Sequence, residues 1–155
     1  MRTFLLSFFL TLFTSQALAQ KPQLVLPIGH TKTVYDAKFI ELDGETFVLT
    51  GSSDNTAKLW NLQGEEIVNF KGHVHEINTV DFYEKEGIVL TSSADSTMML
   101  WDLTGKKIRT INPDEDVYKA KFAQDGKFIY TQDDGLGVLS KWDFNGKKLT
   151  RIPLI

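Results

Sequence analysis

Leu59-Trp60-Asn61, Leu100-Trp101-Asp102 and Lys141-Trp142-Asp143 set three tryptophans 41 residues apart, each followed by Asn or Asp. A fixed period of this size marks a chain built of repeats, where each unit buries its apolar face only against its neighbours. Outward from these tryptophans the same pattern recurs. The first copy runs Gly29-His30, then Val34, Ala37 and Phe39, then Phe47-Val48-Leu49-Thr50-Gly51-Ser52-Ser53-Asp54, then Ala57-Lys58-Leu59-Trp60. The second runs Gly72-His73, then Ile77, Val80 and Phe82, then Ile88-Val89-Leu90-Thr91-Ser92-Ser93-Ala94-Asp95, then Met98-Met99-Leu100-Trp101. After each Trp come a glycine turn (Gln63-Gly64, Thr104-Gly105, Asn145-Gly146) and one more apolar stretch.

The apolar runs are short, rich in β-branched and aromatic residues, and bounded by Gly, Asp, Asn or Ser. That is strand chemistry with tight turns, about four strands per repeat. No segment carries a sustained helical period with caps. The first copy is longer than the second in the polar stretch between Phe39 and Phe47, where a loop tolerates insertion. The expected class is all-β.

These units resemble WD40 repeats, the blades of β-propellers. The matching features are the Gly-His pairs, the Ser-x-Asp before the third strand and the Trp-Asp or Trp-Asn that ends it. The resemblance runs from about Gln23 to the C-terminus. It implies an outer strand over 23–28, then four-stranded repeats over 29–71, 72–112 and 113–155, forming an open arc or partial propeller. Three repeats fall short of the four to eight that close a ring. The chain is therefore expected to be part of a longer protein with further blades, or else to pair with a second copy or remain a marginal arc.

The resemblance also implies a buried tetrad in each of two blades: His30, Ser52, Asp54 and Trp60, then His73, Ser93, Asp95 and Trp101. Trp would donate to Ser, Ser to His and His to Asp, so that each buried polar group finds a partner. The third copy has Pro113-Asp114 in place of Gly-His and a longer turn at Asp133-Asp134-Gly135-Leu136-Gly137. It is expected to lack the full set and to be the least rigid blade.

His30, Ser52 and Asp54 also have the composition of a hydrolytic triad. Their recurrence in the second repeat favours a structural role, and no catalytic residue is assigned. His73-Val74-His75 resembles a metal pair, but His73 belongs to a tetrad and the chain has no cysteine, so no metal site is assigned. Asp114-Glu115-Asp116 and Asp133-Asp134 read as solvated loop charge, with Ca²⁺ the alternative. Phosphate-loop, nucleophile-elbow and zincin motifs are missing, and no cofactor is expected. Partners of WD40 propellers dock on the face made by the turns entering the first strand and joining the second to the third. The corresponding positions are Thr33, Tyr35 and Ser53, then Glu76, Asn78 and Ala94, then Asp116, Tyr118 and Asp133.

Arg2, the apolar run Phe4 to Phe13 and Ala17-Leu18-Ala19 together read as a cleavable signal peptide over 1–19, with a periplasmic or extracellular destination. The run is too short to span a bilayer, so no membrane association is expected after cleavage. Loss of Arg2 leaves 16 basic against 20 acidic residues, a formal charge of −4. This acidic balance without a basic tract argues against nucleic acid as the partner. The sequence thus points to a non-catalytic exported scaffold for proteins or peptides. The alternative is an accessory or N-terminal propeller region of a larger secreted enzyme or effector.

Overall fold

The computed structural model describes residues 29–113, 117–133 and 137–153. The signal peptide, the outer strand over 23–28, Asp114-Glu115-Asp116 and Asp134 lie outside the described residues. Within them the chain is all-β, with a single 3-10 turn at Glu84–Glu86. Three antiparallel sheets of four strands follow one another. Blade 1 contains β1 (Val34–Leu42), β2 (Glu45–Ser52), β3 (Thr56–Asn61) and β4 (Glu66–Lys71). Blade 2 contains β5 (Ile77–Tyr83), β6 (Ile88–Ser93), β7 (Met98–Trp101) and β8 (Lys107–Ile111). Blade 3 contains β9 (Lys119–Phe122), β10 (Ile129–Gln132), β11 (Val138–Trp142) and β12 (Lys148–Pro153). Each is an up-and-down meander, so every strand pairs with its sequence neighbour.

The residue after each tryptophan makes the meander turn. Asp102 Oδ1 accepts the N–H groups of Thr104 and Lys106 at 2.9 and 3.0 Å. Asp143 and Asn61 do the same for the corresponding turns. Gly105, at φ 84°, then reverses the chain where a side chain would be strained. The recurring Trp-Asp pair therefore joins a core residue to a turn cap.

The core lies between the blades. One apolar cluster joins Leu49, Leu59 and Phe70 of blade 1 to Val80, Phe82, Val89 and Trp101 of blade 2. A second joins Leu90, Leu100 and Ile111 of blade 2 to Ala120, Ile129 and Trp142 of blade 3. Trp101 and Trp142 are buried, whereas Trp60 is only half-buried. The approach is close enough that a Cβ on Gly51 would meet Val80 Cγ1 at 2.8 Å and Ile77 Cγ2 at 2.9 Å.

Polar bonds also cross between the inner strands. Asp36 Oδ2 in β1 accepts the Val80 N–H of β5 at 3.0 Å, and Thr79 Oγ1 accepts the Ala120 N–H of β9 at 3.1 Å. Asp81 is buried, accepts the Phe122 N–H at 2.7 Å and is ion-paired with Lys38. Inner-strand edges that would otherwise carry unpaired donors are thereby joined blade to blade.

Candidate functional site

Four polar side chains run through each of the first two blades, though not the four expected. Trp60 Nε1–H donates to Thr50 Oγ1 at 2.8 Å, and Thr50 Oγ1 lies 2.7 Å from His30 Nε2. His30 Nδ1 is 2.9 Å from Asp54 Oδ2. Blade 2 repeats this as Trp101, Thr91, His73 and Asp95 at 3.0, 2.7 and 2.8 Å. An indole N–H can only donate, so the threonine oxygen accepts it and turns its own hydrogen toward the imidazole.

The hydroxyl in the middle is thus Thr50 or Thr91, not Ser52 or Ser93. Strand alternation puts residues two apart on the same face, and the threonine hydroxyl is the one the indole N–H reaches. Ser52 and Ser93 lie beyond it and close the turn instead. Ser52 Oγ accepts the Asp54 N–H, and Ser93 Oγ accepts the Asp95 N–H, both at 3.1 Å. Ser93 Oγ also donates to the His75 carbonyl at 3.1 Å. His30 therefore meets Thr50 and not Ser52, so the triad composition has no matching geometry. The signal was present in the sequence: Thr50, Thr91 and Thr131 recur in all three copies, while serine recurs in only two.

Blade 3 keeps part of the chain. Trp142 Nε1–H donates to Thr131 Oγ1 at 2.9 Å. Asp133 stands two residues beyond, where Ser52 and Ser93 stand in the other blades. Its Oδ1 accepts the Val138 N–H at 3.0 Å, while its Oδ2 is buried without a hydrogen-bond partner among the described residues.

Burial sets the charge state of these groups. It pushes the His73 imidazole below its ordinary range, against the opposing pull of Asp95. Burial would raise Asp54 and Asp95, but hydrogen bonds outweigh it. Those from the Thr56 hydroxyl, the Thr31 N–H and His30 hold Asp54 well below the usual carboxylate range. The Thr97 hydroxyl, His73 and the Val74 N–H do the same for Asp95. A hydrogen-bonded chain of this kind ties the strands of a blade to the turn that precedes them. His75 is exposed beside buried His73. Among the described residues no group of three or more His, Cys, Asp or Glu side chains could hold a metal ion.

Four of the nine positions expected to face a partner share one depression beside the start of the inner strands. A β-bulge between Val34 and Asp36 leaves Tyr35 as the extra residue, and one between Ile77 and Thr79 does the same for Asn78. A bulge turns its extra side chain out of the ladder, toward the rim. Tyr118 occupies the same place before β9, its N–H donating to the Gln132 carbonyl at 2.9 Å. Tyr35, Glu76, Asn78 and Tyr118 line one depression of about 450 Å³ together with Asp36, Thr79, Lys119 and Lys121. Tyr35 is 52% and Tyr118 46% exposed, so neither ring packs beneath its turn.

Thr33 and Ser53 face each other through a 2.9 Å backbone bond, as do Glu76 and Ala94. Thr33, Ser53, Ala94 and Asp133 are not in the lining, and Asp116 lies outside the described residues. Asp36, Thr79, Lys119 and Lys121 were not singled out from sequence. Lys121 Nζ crosses the depression to Asp36 Oδ2 at 3.1 Å and the Val80 carbonyl at 2.8 Å. Lys119 Nζ lies 5.6 Å from the Tyr118 ring centre. The surface combines two exposed aromatic rings, two carboxylates and two ammonium groups.

The family model for Eukaryotic translation initiation factor eIF2A matches residues 9–135. Over 39 residues the chain is 46% identical to the ribosome biogenesis protein WDR12 homolog of Trichoplax adhaerens. That stretch is 25% of this chain and 9% of that protein, so the chain spans a small part of the relative's length. By the extent of the family match, and with blades of WD40-like form, the chain belongs to the eIF2A family.

Proposed function

We propose that this protein is a non-catalytic scaffold whose inner-strand depression holds a segment of a partner protein. One observation carries the reading: the equivalent positions Tyr35, Asn78 and Tyr118, one per blade, meet in a single depression. Exposed tyrosine brings large contact area at low entropic cost and is enriched at binding surfaces. The mixed charges suit a polar peptide with both signs better than a nucleic-acid backbone, which would meet Asp36 and Glu76. The names of the matched family and relative concern translation initiation and ribosome biogenesis. Here they support only assembly with other macromolecules.

Selection of linear peptides on the purified protein, followed by calorimetric titration, tests this reading. The Tyr35→Ala/Tyr118→Ala variant should bind a selected peptide at least about tenfold more weakly, as loss of interface aromatics does. Unchanged affinity in that variant would remove the depression from the account.

Export belongs to the same proposal and rests on Arg2, the Phe4 to Phe13 run and Ala17-Leu18-Ala19. The family match begins at residue 9, inside this stretch, so the mature N-terminus is where export and internal retention part. Intact mass of the protein from its native cell should correspond to a chain beginning at Gln20. A chain retaining residues 2–19 would contradict export.

A further inference from the structure

The turn after each tryptophan changes sign along the chain. It reads Gly64-Glu65-Glu66 in blade 1, Gly105-Lys106-Lys107 in blade 2 and Gly146-Lys147-Lys148 in blade 3. Register makes the last residues equivalent, since Glu66, Lys107 and Lys148 stand opposite Trp60, Trp101 and Trp142. In blade 1 the acid is matched within the sheet, where Lys58 Nζ lies 2.6 Å from Glu66 Oε2. The register position of Lys58 is Met99 in blade 2 and Ser140 in blade 3. The sign is thus reversed in these blades without a reversed counter-ion. Lys106, Lys107, Arg109 and Lys147 are exposed and form no ion pair among the described residues. The turn carboxylates Asp102 and Asp143 are engaged by backbone N–H groups of their own turns.

Two of the cations converge on one seam. Leu100 and Trp142 belong to the apolar cluster between blades 2 and 3. Arg109 stands opposite Leu100 and Lys148 opposite Trp142, and cross-strand partners share a sheet face. Both therefore flank the outer end of this seam. The blade 3 turn is close against β8, since a Cβ on Gly146 would lie 3.2 Å from Ile111 Cγ2. At the seam between blades 1 and 2 the equivalent of Arg109 is Val68, so positive charge concentrates between blades 2 and 3.

An aliphatic row runs through the same rim. Ile67, Ile108 and Leu149 are each the extra residue of a β-bulge opposite the tryptophan. A bulge turns such a side chain out of the ladder. They are 49%, 50% and 41% exposed, too open to belong to either core cluster.

We propose that the rim of blades 2 and 3 binds a segment of a partner protein built of acidic and aliphatic residues. Carboxylates of the segment meet Lys107, Arg109 and Lys147, and its aliphatic side chains cover Ile108 and Leu149. Charge complementarity selects the sign of the partner. The aliphatic row selects polypeptide over nucleic acid, because bases stack on aromatic rings and the row supplies none. Glu65 and Glu66 end the acidic part of the segment at blade 1, where like charges would meet. The rim is separate from the depression at Tyr35 and Tyr118, and binding here does not depend on that site.

Fluorescence anisotropy with a labelled synthetic peptide of Glu and Leu tests this on the full chain. Binding should saturate and weaken as salt is raised. Peptides with Gln for Glu, or Ser for Leu, should bind more weakly. Arg109→Glu/Lys147→Glu should lose at least about tenfold in affinity, with circular dichroism verifying its fold. Tyr35→Ala/Tyr118→Ala should bind the peptide as the wild type does. Amide shifts in the wild type give a readout that needs no variant: they should centre on Lys107, Ile108, Arg109 and Leu149. Absence of binding overturns the proposal, as do unchanged affinity in Arg109→Glu/Lys147→Glu and shifts centred on Tyr35 and Tyr118. Tighter binding of a single-stranded RNA of equal charge would assign the rim to nucleic acid and overturn it too.

Discussion

Phe70, near the end of β4, meets Trp101 of the next blade edge-on, with ring centres 5.9 Å apart and planes at 62°. The contact ties the last strand of one blade to the tryptophan of the next, and the same indole donates to Thr91 beneath it. Trp101 is therefore both the apolar plug between blades and the head of a polar chain.

Loss of the hydroxyl in that chain should be costly. Thr91→Val leaves the Trp101 N–H and one nitrogen of buried His73 without partners, at about 2–4 kcal/mol for groups of this kind. Ser93→Ala removes a turn contact and should cost only about 1 kcal/mol. Urea unfolding of the two variants decides the matter. A larger loss in Ser93→Ala would restore the serine to the place the sequence suggested.

Acidification should destabilise the fold in two stages. The folded pKa of His73 lies below its ordinary 6.5, so the unfolded chain takes up the proton first. Its share of stability is full above 6.5 and declines as pH falls through that value toward the folded pKa. Asp95 likewise lies below its ordinary 3.8, and its share is lost as pH falls through and below 3.8. Thermal unfolding from pH 7.5 to 5 should show a falling midpoint, with a shallower slope in His73→Asn. An unchanged slope in that variant would assign the pH dependence to other groups.

Gly126 should tolerate no side chain. Its φ is 65°, and an added Cβ would lie 1.9 Å from Tyr83 Cζ of blade 2. Gly126→Ala then combines backbone strain of about 1–2 kcal/mol with displacement of the Tyr83 ring. Removing the ring in Tyr83→Ala/Gly126→Ala should restore part of the loss, and a double-mutant cycle measures it. Strict additivity would mean that the ring is not the obstacle.

Blade 3 should open first. It keeps the Trp142–Thr131 bond but has Asp114 where the other blades have histidine. Amide exchange in β10 and β11 should therefore be faster than in β6 and β7, which flank the complete chain of blade 2. Equal protection would show that apolar packing alone sets local stability.

Strand content and blade identity were legible because they rest on local chemistry: Trp-Asp at a fixed interval, glycine in the turns, β-branched runs between. The equivalence of Tyr35 and Asn78 was legible as well, since each is the extra residue of a bulge at the same place in its repeat. The identity of the central hydroxyl was not, because Thr50 and Ser52 share a strand face and only the side-chain geometry shows which one the indole N–H reaches. The bonds Asp36–Val80, Thr79–Ala120 and Asp81–Phe122 were hidden for another reason. They join residues 41 to 44 apart, and that pairing depends on how one blade is rotated onto the next. Lys119 and Lys121 were missed on the same ground, since they line the depression only once the inner strands stand side by side.

The central claim is that a partner segment lies across Tyr35, Asn78 and Tyr118. Backbone and tyrosine-ring resonances of labelled protein, followed while a selected peptide is added, test it most directly. The account predicts saturable shifts at these three residues and at Lys119 and Lys121, with β8 and β12 unmoved. Shifts concentrated instead at the outer turns around Leu62, Thr104 and Asn145 would contradict it.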